Sequence, residues 1–181
     1  MKSVLISIQP KWCELIANGK KTIEVRKTKP KIDTPFKCYI YCTNTKPYLV
    51  WGDVFRGDWE TEVTSISGYS RKDAEGIWDV FNGKVIGEFV CDHIMPFNSY
   101  EIMSGCSETS YEELPRATQL SREELLKYCG DGEIYTWHIS DLVIYDKPKE
   151  LSEFIVERYP CLARLKRPPQ SWCYVEGGVQ E

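Results

Sequence analysis

The run Gly19-Lys20-Lys21-Thr22-Ile23-Glu24-Val25-Arg26 makes a helix end, the chain turn and a strand begin within a few residues, and it does so with charged side chains. Trp12, Leu15 and Ile16 fall at i, i+3 and i+4, the spacing of one helical face. Pro10 suits a first turn, which does not need its missing N–H, and Gly19 suits a helix end with positive φ, so residues 10–18 read as a short amphipathic helix. Thr22 to Thr28 then alternates as a strand, with Ile23 and Val25 on one face and Thr22, Glu24 and Arg26 on the other. Val4-Leu5-Ile6-Ser7-Ile8 ahead of the helix reads as a buried strand. The order is strand, helix, strand, with cations at the second junction.

Charge is concentrated at that junction. Lys20, Lys21, Arg26, Lys27, Lys29 and Lys31 against Glu24 give residues 20–31 a net charge of +5 in a chain of net −4, so the remainder carries −9. The overall sign argues against binding nucleic acid by general electrostatics, whereas a local basic patch on an acidic body suits one or a few phosphates.

Gly19, Lys21, Glu24 and Arg26 fill the four fixed places of the G-x-K-x-x-E-x-R signature, and in this the chain resembles the ASCH domain family, a branch of the PUA-like β-barrels. The similarity extends to Ser3–Asn18, to Asn82-Gly83-Lys84-Val85-Ile86-Gly87-Glu88-Phe89 and to Tyr135-Thr136-Trp137-His138-Ile139-Ser140-Asp141-Leu142. The resemblance implies an α+β, mainly β fold: a PUA-like barrel with peripheral helices and inserted loops, and a cleft for RNA, a nucleotide or a modified nucleoside. One branch of the family resembles an amidohydrolase that deacylates acetylated cytidine with a Lys, a Thr and a Glu. Lys21 matches the first and Glu88 the last, while Glu24 stands in place of the threonine. Other members resemble ribonucleases.

Glu88 is flanked by Ile86 and Val90 on its strand face, and a carboxylate so placed needs a partner or a raised pKa. Lys21 or Arg26 is the expected partner. A catalytic lysine must be neutral part of the time, which two carboxylates oppose. With Glu24 and Glu88 both facing it, a charged Lys21 would orient a substrate carbonyl or phosphate, Glu88 would activate water, and Glu24 and Arg26 would fix the site. Lys21, Glu24 and Glu88 are therefore the catalytic candidates. Lys20, Lys21, Arg26, Lys27, Lys29 and His138 are the nucleic-acid or nucleoside-binding candidates. A protein-interaction domain with a structural ion pair is the alternative from another class.

At 181 residues and 42% hydrophobic the chain suits one domain over residues 1–181, with insertions around 44–83 and 96–132. It has neither a signal-peptide pattern nor a run of ~20 apolar residues, so no membrane association and a cytoplasmic location are expected, with its eight cysteines reduced. Residues 37–43, 85–94, 134–145 and 171–176 read as strands. A short helix is expected near Lys72–Phe81, an irregular stretch from Pro96 to Leu120, a helix opened by the Ser121–Glu124 capping box, and a helix or turn pair over 148–159.

Of the aromatic residues, Trp12 and Trp137 read as core, whereas Trp51, Trp59 and Trp78 in the first insertion are stacking candidates for bases. His138 shares a polar strand face with Thr136 and Ser140 that would line the cleft. Cys38 and Cys42 share a face about 13 Å apart, too far to chelate one ion, and Cys91 with His93 lacks an identifiable third ligand. No metal and no cofactor are expected.

Overall fold

The computed structural model of the chain describes residues 2–51, 63–104, 113–158 and 161–176. Strand β1 (Lys2–Ile8) is buried from Ser3 onward. Its alternation sends Val4, Ile6 and Ile8 into one apolar cluster and Leu5 into another. A strand covered on both faces belongs inside a sheet, and β1 pairs in parallel with β3 (Phe36–Cys42) and antiparallel with β12 (Trp172–Glu176). Helix α1 (Pro10–Ala17) and strand β2 (Ile23–Arg26) lie between β1 and β3 in the chain and form the expected strand, helix, strand unit.

The remaining strands are β4 (Tyr48–Trp51), β5 (Val63–Ile66), β6 (Val85–Cys91), β7 (Ile94–Asn98), β8 (Glu133–His138), β9 (Ser140–Lys149), β10 (Ile155–Arg158) and β11 (Cys161–Arg164). They form a seven-stranded sheet in the order β11-β10-β12-β1-β3-β6-β9, a three-stranded sheet β2-β8-β7 and a β4-β5 pair. The α+β, mainly β class is as expected. The described ladders, however, do not close into a barrel: β11 and β9 are free edges of the large sheet. The first cluster joins the large sheet to the small one through Trp137, which is fully buried and meets the Phe36 ring edge-on at 5.8 Å.

Helices α3 (Ser99–Ser104) and α4 (Glu113–Thr118) occupy part of the stretch expected to be irregular, α5 (Arg122–Cys129) is the expected capped helix, and α3 and α5 cover the three-stranded sheet through Ile102, Leu125 and Cys129. The capping box of α5 is present, Glu124 N–H donating to Ser121 Oγ (3.1 Å) and Ser121 N–H to Glu124 Oε2 (2.7 Å). Helix α2 (Arg71–Glu75) is shorter than the spacing of Ile77, Val80 and Phe81 predicts; Ile77 is exposed while the other two are buried. The first insertion has a core of its own, with Val50, Ile66, Ala74 and Val80 packed together. Residues 148–159 hold a 3-10 turn at Leu151–Glu153 and then β10.

Two expected strands are each two. The run 85–94 breaks at Asp92-His93, leaving β6 in the large sheet and β7 in the small one, and 134–145 breaks at Ile139 between β8 and β9 in the same way. No described helix is long and apolar enough to cross a membrane.

Candidate functional site

The helix exit is closed by two backbone bonds, Gly19 N–H to Ile16 O (2.9 Å) and Lys20 N–H to Leu15 O (2.8 Å), with Gly19 at φ +67°. This is the Schellman arrangement, in which the left-handed residue satisfies the last carbonyls of the helix. A third bond, Lys21 N–H to Leu15 O (2.9 Å), swings the Lys21 side chain inward, where it is 2% exposed. In β2, Ile23 and Val25 pack with α5 and β7, while the alternate residues Glu24 and Arg26 form a charged network with Lys21.

Glu24 stands at the centre of that network. Its Oε2 lies 3.5 Å from Lys21 Nζ and its Oε1 lies 3.0 Å from Arg26 Nη2. Lys21 Nζ also donates to Thr118 O at 2.7 Å and sits 5.2 Å from the centre of the Trp12 ring. Arg26 Nη2 donates to Ser7 O (2.7 Å), tying β2 to the end of β1. Burial pulls the pKa of Lys21 below its ordinary value, and the attraction of Glu24 offsets this only in part.

These three side chains open into a cleft of about 710 Å³. Its aromatic lining comes from Trp12, Tyr41 and Tyr128, and its polar lining includes Gln9, Thr43, Asn44 and Gln170. Trp12 was expected in the core and is instead a partly buried wall of the cleft. Helix α5 contributes Glu124, Lys127 and Tyr128, which were not singled out from the sequence although their i, i+3, i+4 spacing puts them on one helix face. Nothing local in the sequence marks Tyr41 or Gln170, which tertiary packing alone brings in.

Glu88 is not part of this constellation. Directly opposite Tyr39 in the β3–β6 ladder, it accepts from Lys37 Nζ at 2.6 Å and Tyr145 Oη at 2.5 Å, and it does not line the cleft. The reason is a register shift between Val85 and Gly87: the extra residue reverses the inward-outward order, so that Ile86 and Phe89 lie in one cluster and Glu88 leaves the face it was expected to share with Ile86. Burial alone would raise its pKa, but the Lys37 and Tyr145 hydrogen bonds outweigh burial and hold it below the ordinary value.

The other expected binding residues lie outside the lining. Lys20, Lys27 and Lys29 are exposed. Lys27 Nζ stands 5.3 Å from the centre of the Tyr128 ring, at the rim of the cleft, and Lys29 Nζ stands 5.4 Å from that of Tyr135. His138 Nδ1 is 2.7 Å from Asp92 Oδ1, and the polar face expected with it is spent elsewhere, Thr136 Oγ1 donating to Met95 O and Ser140 Oγ to Val90 O. Trp51 meets Phe81 edge-on and Trp78 meets Tyr69 edge-on, and neither lines the cleft; Trp59 lies outside the described residues.

The ASCH domain family matches residues 6–149, a span that holds the signature, the β6 segment and the β8–β9 segment. This chain belongs to the ASCH domain family. Among solved structures, two crystal structures of an ASCH protein from Zymomonas mobilis share its fold. A point mutant of that protein is 17% identical with a TM-score of 0.51, covering 97% of this chain and 91% of its own. The other is 18% identical with a TM-score of 0.51, covering 96% and 87%. No curated protein matches the chain.

Proposed function

We propose that the ASCH cleft of this protein recognises RNA or a modified nucleoside, with Lys21, Glu24 and Arg26 as its polar end and Trp12, Tyr41 and Tyr128 as stacking surfaces. The observation that carries this reading is the meeting, in one cleft of about 710 Å³, of a buried three-charge network and three aromatic rings. Rings supply sequence-tolerant base stacking, and fixed polar groups supply selectivity. Arg26 spends its Nη2 on Glu24 and Ser7, so its role is to hold Glu24 in place, and Lys21 offers the cation. The test is binding of a panel of short RNAs and modified nucleosides to the wild type and to Lys21→Met. Loss of a charged hydrogen bond is expected to weaken affinity about 10- to 100-fold, and unchanged affinity would overturn the assignment.

One observation favours a second reading as a metal-independent hydrolase: burial lowers the Lys21 pKa and so raises the neutral fraction able to accept a proton. With Glu88 outside the cleft, Lys21 and Glu24 would have to carry that chemistry. Incubation with acylated cytidine and with single-stranded RNA decides between the readings. Product that disappears in Lys21→Met supports the hydrolase, and tight binding without product supports recognition alone.

A further inference from the structure

Away from the cleft, the breaks between β6 and β7 and after β8 bring together Asp92, His93 and His138. Asp92 Oδ1 lies 2.7 Å from His138 Nδ1 and 2.9 Å from His93 Nδ1, and the two imidazoles stack with centroids 4.5 Å apart and planes 20° from parallel. The backbone holds the three in register: His138 N–H donates to His93 O (3.1 Å), and the β7–β8 ladder begins at the next pair, Ile94 and Trp137.

From this geometry we infer a binding site for a borderline transition-metal ion of the Zn²⁺ class, with Asp92 Oδ1, His93 Nδ1 and His138 Nδ1 as its three protein ligands. Three ligand atoms on a preordered backbone lie within 4.8 Å of one another. Two imidazoles and a carboxylate are a donor set for zinc, cobalt or nickel, whereas calcium and magnesium prefer oxygen, and three protein ligands leave a fourth position for water. Metal–ligand bonds of about 2.0–2.2 Å put tetrahedral donors about 3.3–3.5 Å apart, and each imidazole binds in its own ring plane, so the carboxylate must withdraw by roughly half an ångström and one ring must turn out of the stack. The side chains have room to do so: His93 is 52% exposed, Asp92 41% and His138 34%. Cys91, the ligand its sequence position suggests, is excluded. Its thiol is buried in the first cluster, and burial pushes its pKa up to about 12.

Because β6 belongs to the large sheet and β7 and β8 to the small one, the ion would clamp the junction between the two. The experiment is titration of chelator-treated full-length protein with Zn²⁺ and Co²⁺, followed by calorimetry, visible absorption and melting temperature. The expected result is one ion per chain, tetrahedral cobalt bands without thiolate charge transfer, and a Tm that rises with zinc. His138→Ala and Asp92→Asn are expected to lose about tenfold or more in affinity. Their metal-free Tm shows whether they fold, and histidine ring ¹⁵N shifts in the wild type report coordination at Nδ1 without any variant. Absence of binding, thiolate bands, or shifts confined to Nε2 would overturn the site and leave a carboxylate bridging two histidines.

Discussion

At the scale of single residues the main lesson is the separation of Glu88 from Lys21. Family resemblance joined the two, yet one extra residue at Ile86 directs Glu88 to Lys37 and Tyr145. Glu88→Gln is therefore expected to leave RNA or nucleoside affinity unchanged while costing about 1 kcal/mol of stability, since Lys37 is 42% exposed and solvent screens much of the pair. The pH dependence has a definite sign. A carboxylate whose folded pKa lies below 4.5 contributes stability above that pH and loses it as the pH falls through the folded value, so the gap between wild type and Glu88→Gln should narrow only below pH 4.5. Urea unfolding at a series of pH values measures it; a gap that persists undiminished well below pH 4.5, or a loss of ligand affinity, would contradict this account. Lys21, Glu24 and Arg26 were legible from the helix-to-strand junction because local rules fix all three.

At the scale of elements, legibility followed the range of the interactions. The first strand and helix, the capping box of α5 and the last strand have local signals and lie where they were read. The two long strands did not divide on paper, because Asp92-His93 and Ile139 interrupt the pattern without a Gly or Pro to mark the break, and the sheet to which each half belongs is decided by distant partners. Gly87 shows how closely the large sheet is fitted at its bulge. A Cβ there would come within 2.4 Å of Val143 O, a backbone atom of the neighbouring strand β9. Gly87→Ala is expected to cost about 1–3 kcal/mol, because the strands must part to admit the methyl group. In a chain of this length that is a fall of several degrees in Tm, readable by calorimetry, and a Tm within one degree of wild type would mean that β9 is loosely held.

For the molecule as a whole, the question is how an acidic protein would engage the polyanion proposed as its ligand. The net charge of −4 disfavours encounter, and the +5 patch over residues 20–31 supplies attraction only at short range, within a Debye length of about 8 Å at physiological salt. Lys27 stands beside Tyr128 of the cleft rim, and Lys29 stands beside Tyr135, the residue paired with Arg26 in the β2–β8 ladder. Phosphates flanking a base seated in the cleft would reach these exposed ammonium groups, whereas buried Lys21 would contact the base or sugar. Binding of short single-stranded RNA should then weaken with added salt, and Lys27→Ala and Lys29→Ala should each reduce the slope of log affinity against log salt by about 0.7–1 while leaving the binding of uncharged nucleosides unaffected. Lys21→Met should do the reverse, lowering affinity for both ligand classes with little change in slope. Equal slopes in all four proteins would remove the phosphate contacts from the proposal and leave a nucleoside pocket; a slope lost only in Lys21→Met would place the phosphate at the buried network instead.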